Sequence, residues 1–301
     1  SADLGHIAEA AAFVGLIAGD QAATNKALDA LSMPFPDPRE LDYNQHYDLY
    51  ESHALVAMCT AWDYLAGNPL ASEDRLRTAR DRLLERIGDY YYIGHQGNYF
   101  FMIAFSQNNH AIKYFAGLGM CALALNERST AARDMSEAMT ALDFLLNIYQ
   151  ASESEGGYAE GFNYLQDGAM TFLPFFAAYH RWADGASRPY FGVPGLQNGS
   201  PHEGKVALIP DFGNHPTTRA IFLRSLWASM PDGLMPPTDD GRPVGLYGAL
   251  LDYLFDFDGF LWQWFRPAVG WMSGGATTAS LALYDGTPAP EHPGLDDLAG
   301  Y

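Results

Sequence analysis

Residues 109–126, NHAIKYFAGLGMCALALN, decide the fold. Their apolar positions recur with the 3.6-residue period of a helix. Just ahead of them, Gln107-Asn108-Asn109-His110 forms a polar run leading into that helix. The same period continues outward in both directions. Ala-rich helical segments are predicted over roughly 3–19, 20–33, 46–67 and 72–93 before it, and over 128–150 and 162–184 after it. Ser72 and Ser129 suit N-caps. Gly67-Asn68-Pro69 and Gly94 read as stops. A Pro/Gly-rich stretch at 185–213 interrupts the pattern, and helical character returns near 216–230 with Pro216 at a first helical position. The loop from Pro231 to Arg242 precedes apolar segments around 244–256 and 259–265. No strand alternation of any length is visible.

The fold is therefore expected to be all-α. The helices come in pairs of roughly 40–50 residues without sequence repetition, which suits an α-solenoid or a closed α/α toroid. The long loops 94–108, 151–161 and 185–213 favour the toroid, because such loops build the mouth of a central cavity. Loops longer than about 12 residues inside a compact domain are usually functional. The expectation is an incomplete (α/α) toroid of paired antiparallel helices, one domain over 1–301. Its core covers about 1–270, with 271–301 a C-terminal extension or the start of a linker.

Composition narrows the function. At 301 residues and 48% hydrophobic content the chain can bury a large core. Its 18 Tyr, 18 Phe and 6 Trp suit an aromatic core or a carbohydrate groove, where sugar C–H faces pack on flat rings. A formal charge of −19 argues against nucleic acid, which needs basic patches. A polyanion would need a local basic or amide cluster. No apolar run is long enough for a membrane span. Cys59 and Cys121 sit in apolar helical patterns and are expected as buried free thiols. No GxGxxG, P-loop or CxxC appears, and no His/Asp/Glu spacing suggests zinc, so no cofactor or metal is expected. The expected compartment is periplasmic or secreted.

Chemistry is expected first at the polar run. An asparagine at a helix start is often an N-cap, which accounts for Asn108. It does not account for four polar residues in a row. Helix amino termini offer N–H donors and the positive end of a dipole, which favour anions. An amide and an imidazole there suit a uronate carboxylate. Lys113 lies one turn beyond Asn109, as a positive neighbour or as a plain surface lysine. The second place is Glu155-Gly156-Gly157-Tyr158-Ala159-Glu160-Gly161-Phe162-Asn163-Tyr164, again just before a helix. Its glycines let the backbone bend closely around a ligand. Tyr158, Glu160 and Tyr164 fall near that helix start; the plainer reading is a glycine-rich turn with a core tyrosine.

Together the two runs resemble the heparinase II/III-like and related alginate-lyase families of polysaccharide lyases. NNHAIKYFAGLGMCALAL at 108–125 and GGYAEGFNYLQDGA at 156–169 carry the resemblance. GLMPPTDDGRP at 233–243 and LVAMCTAWDYL at 55–65 also fit, so it covers most of residues 45–245. It implies β-elimination on an acidic polysaccharide or oligosaccharide containing uronate. Asn109 would neutralise the substrate carboxylate, His110 would act as a base or a positioning group, and Tyr164 would be base and acid. Gln107, Asn108, Lys113, Tyr158, Glu160, His53 and Tyr99 are the expected substrate-binding residues. Those enzymes normally continue into a β-sandwich carrying a further functional His and often a metal site. This chain stops at Tyr301 before such a domain, so a fragment or a reduced relative is expected, with the β-sandwich as its missing partner.

Three other readings remain open. A C5-uronate epimerase would use the same proton abstraction. A glycoside hydrolase would need two carboxylates ~5–9.5 Å apart, Glu160 with Asp167 or Asp239. A glycan-binding module or helical scaffold would need no chemistry. Tyr43, Asn44, His46, Tyr50, Glu51 and His53 form a polar-aromatic patch at a helix start, with His46, Tyr50 and His53 on one face. His95 and Asn98 sit with Tyr99 in the loop before the polar run. His215, followed by Pro216, suits a helix-entry role. Trp262 and Trp264 suit packing, and Asp239-Asp240 a solvated turn.

Overall fold

The computed structural model describes residues 2–35, 37, 40, 47–96, 100–104, 108–149, 158, 160–197, 199–213, 215–228 and 234–237. Among these the fold is all-α but for one small sheet. Nine helices are present among the described residues: α1 (Ala2–Ala18), α2 (Gln21–Leu31), α3 (Tyr47–Ala66), α4 (Glu73–His95), α5 (Phe100–Ala104), α6 (Asn109–Ala124), α7 (Ala131–Tyr149), α8 (Gly161–Ala183) and α9 (Pro216–Ala228). Two short strands, β1 (Arg188–Phe191) and β2 (Val206–Ile209), pair with each other. The chain forms two compact units. Unit 1 holds Ser1–Leu145 and Pro189–Ile209; unit 2 holds Leu146–Arg188 and Pro210–Tyr301.

Unit 1 is built from two rows of helices. Gly5 lies against the backbone of Ala54, and the Phe13 ring meets Tyr64 at 5.8 Å. The numbers rise together, so α1 and α3 run in the same sense. Gly117 lies beside Ser52, and the Cys59 Sγ stands 3.6 Å from that of Cys121, so α3 and α6 do likewise. The second row is α2, α4 and α7. Arg75 of α4 donates to the Asn25 carbonyl at 2.9 Å and pairs with Asp29 of α2. Tyr91 of α4 donates to Glu137 of α7 at 3.1 Å. Alanines and glycines at the contacts let the helix axes approach.

At the centre of unit 1, α6 is buried from Asn109 through Ala122. A helix enclosed all round belongs in a core. Two buried polar groups beside it have clear partners. The Tyr90 hydroxyl meets Ser52 Oγ at 2.6 Å and donates to the Tyr114 carbonyl at 3.0 Å. Arg86 holds Glu51 through two nitrogens, one of them at 2.6 Å, with both side chains buried and the guanidinium over the Phe35 ring. A buried ion pair of this kind persists because each charge satisfies the other.

Several expectations are corrected. Gly94 does not stop α4, which continues to His95; the Tyr114 ring occupies the place a Cβ on Gly94 would take. Part of the expected loop 94–108 is the short helix α5. The stretch 185–213 contains the two strands, too short for alternation to show. Thr130, not Ser129, immediately precedes α7, and its carbonyl accepts from Asp134 at 3.0 Å. Ser72 is the N-cap residue of α4 but makes no side-chain capping bond.

In unit 2, α8 carries Pro174 in its interior, which removes the N–H that would bond the Met170 carbonyl. Phe172, Phe175, Phe176 and Tyr179 pack along its buried face, with Phe212 against Phe176 at 4.7 Å. His215 takes the helix-entry role expected of it: its Nδ1 accepts from the Thr217 N–H at 3.1 Å, in the first turn of α9. No helix among the described residues is long and apolar enough to cross a membrane.

Candidate functional site

The start of α6 follows from its capping. The Asn108 side chain accepts from the N–H groups of His110 and Ala111 at 3.1 and 3.4 Å. This satisfies two of the donors a helix leaves open and fixes where the next side chains begin. Asn108 thus fills the capping role. Asn109 and His110 follow at 3% and 7% exposure, in unit 1. Lys113 is not a surface lysine: it is 1% exposed. Helical spacing sets it on the same face as Asn109 and His110. An amide, an imidazole and a lysine side chain therefore share the amino-terminal turns of one buried helix. His53, on neighbouring α3, is half-buried.

The start of α8 belongs to unit 2. Glu160 is the N-cap residue without a side-chain capping bond. The turn is closed by the Gly161 N–H on the Tyr158 carbonyl at 2.8 Å. Gly161 has φ +79°, a left-handed conformation that glycine adopts without strain. Tyr158 is buried; Glu160 and Tyr164 are half-buried. Burial pushes the Tyr158 phenol well above its usual range, and the charges of Glu160 and Asp167 add to the effect. Tyr158 therefore stays protonated, and those two carboxylates lie within electrostatic reach of one buried phenol.

Gln107 and Tyr99 lie outside the described residues, as do Tyr43, Asn44, His46, Asn98, Asp239, Asp240, Trp262 and Trp264. The polar-aromatic patch divides: Tyr50 is exposed, whereas Glu51 is buried in its pair with Arg86. His95 ends α4. Its ring stacks on Tyr91, and its Nε2 lies 3.0 Å from the buried Glu137 carboxylate.

Two histidine–aspartate pairs escape sequence reasoning. In unit 1, His202 Nε2 meets Asp143 Oδ2 at 2.6 Å. In unit 2, His180 Nδ1 meets Asp211 Oδ2 at 2.6 Å. Their partners lie 59 and 31 residues apart, so no local spacing marks them. Each carboxylate orients its imidazole and fixes which nitrogen carries the proton toward it. No group of three or more metal-ligating side chains occurs among the described residues.

No family model matches the chain, and no curated protein sequence matches it.

Proposed function

We propose that this chain is the helical catalytic domain of a lyase acting on a uronate-containing polysaccharide, of the heparinase II/III-like and alginate-lyase type. The observation that carries the reading is the start of α6. There Asn109 and His110 follow a side-chain cap, with Lys113 buried one turn on. Such a cluster suits a carboxylate in a protein whose overall charge is −19. The paired rows of unit 1 fit the wall of an (α/α) toroid.

In β-elimination the C5 proton of a uronate is weakly acidic, because it lies α to the carboxylate. The Asn109 amide would donate to that carboxylate and stabilise the enolate-like intermediate; one such donor is worth ~3 kcal/mol. Tyr164, as phenolate, would remove the C5 proton, and the phenol so formed would protonate the leaving oxygen at C4. His110 would hold the carboxylate or assist the proton transfer. Tyr158, kept neutral by burial, is unsuited to be the base. A second reading, a glycoside hydrolase using Glu160 and Asp167, draws on the electrostatic convergence of both carboxylates on Tyr158.

The test is a panel of uronate polymers incubated with the protein, including any natural C-terminal domain joined to these 301 residues, and followed by ultraviolet absorbance. The expected result is a rise from an unsaturated sugar with at least one polymer. Inversion at C5 without absorbance would replace the lyase with an epimerase. New reducing ends without absorbance would favour the hydrolase. No change in any polymer would overturn the enzymatic reading.

A further inference from the structure

We propose that Cys59 and Cys121 are a disulfide-forming pair that joins α3 to α6 when the chain folds in an oxidising environment. They are the two cysteines of the sequence, 62 residues apart, and they meet inside unit 1. Both are fully buried. The Cys59 thiol points at the Cys121 sulfur across 3.6 Å. A bond requires about 2.05 Å, so the sulfurs must close by about 1.5 Å. The helices already approach closely. A Cβ on Gly117, one turn before Cys121, would stand 3.5 Å from the Cα of Ser52. Side-chain rotation and a small shift of α6 complete the approach.

The chemistry is thiol–disulfide exchange with a small-molecule disulfide as oxidant. One cysteine thiolate attacks a sulfur of that disulfide and expels one thiolate. The other cysteine, as thiolate, attacks the mixed disulfide at the protein sulfur and expels the second. The protein pair loses two electrons and two protons, and the oxidant leaves as two thiols. In the native fold this exchange is blocked. Neither sulfur is reachable, and burial beside Cys59 pushes the Cys121 thiol well up. The bond therefore forms in the folding chain, before α3 and α6 close over the sulfurs. Once formed it is equally shielded from reduction.

The experiment needs only the unsubstituted 301-residue chain. It is unfolded in reductant, then refolded in a buffer of reduced and oxidised glutathione. It is next unfolded without reductant, alkylated and weighed. The expected result is two cysteines that resist alkylation and a mass lower by two hydrogens. The thermal midpoint should rise by about 5–10 °C over protein refolded in reductant. Native reduced protein exposed to oxidised glutathione should keep both thiols. Chain produced in an oxidising secretory compartment gives the same alkylation readout without refolding. Two alkylated cysteines from the oxidising routes, or glutathione retained on one cysteine, would overturn the proposal. The outcome is independent of any activity on polysaccharide.

Discussion

The starts of α6 and α8 both carry a polar run, and they are built in different ways. At α6 a side chain caps the helix, and the residues behind it stay buried through Ala122. At α8 the N-cap residue Glu160 makes no side-chain capping bond; a left-handed glycine and one backbone bond close the turn, and Glu160 and Tyr164 are half-buried. The first arrangement preorganises donors, which suits binding developing charge. The second leaves Tyr164 half-buried. The proposed function assigns a carboxylate clamp to α6 and a proton carrier to α8.

The largest expected effect is at α8. Tyr164→Phe should lower the rate of unsaturated-product formation by ~10²–10⁴-fold, with the thermal midpoint nearly unchanged. A retained rate would remove the proton carrier from the comparison. Next is the core beneath α6. Glu51→Ala leaves the Arg86 guanidinium buried without its carboxylate, and should cost about 3–5 kcal/mol in urea unfolding. A loss under about 1 kcal/mol would show that the α3–α4 core does not depend on this pair. Asn108→Ala removes only the cap and should cost ~1 kcal/mol, with Asn108→Asp recovering most of it.

The smallest effect is alkaline. Burial and the Glu137 charge raise the Tyr91 phenol from 10.0 to about 12. Its neutral form is favoured by the fold. The stabilisation is therefore complete below about pH 10 and is lost as pH rises through about 12. Urea midpoints across that window should fall, and less steeply in Tyr91→Phe. Equal slopes would show that Tyr91 is not among the groups responsible.

Helices were legible because alanine-rich periodicity reports packing directly: α6 starts where the pattern does, and α8 and α9 start within one residue of it. What stayed hidden depends on long-range neighbours. Gly94 reads as a stop because its local propensity is breaking, yet Tyr114, twenty residues on, needs the space its missing side chain leaves. The strands of 185–213 are four residues each, too short to establish a period. At the site, the capping role of Asn108 was readable from its position. The burial of Lys113 was not, because its place beside Asn109 looks the same on a surface helix as on one enclosed all round. His202 and Asp143 show the same limit: each is ordinary in its own segment, and only the fold joins them.

The central claim is the proposed β-elimination, with Asn109 and Tyr164 as its catalytic residues. A double-mutant cycle on Asn109→Ala and Tyr164→Phe, read by unsaturated-product formation, tests it most directly. The account predicts that each single change lowers the rate by at least ~10²-fold. The double change should fall little further than the worse single one, because groups acting on one transition state are not additive. Losses that multiply, or a rate that either single variant retains, would contradict it.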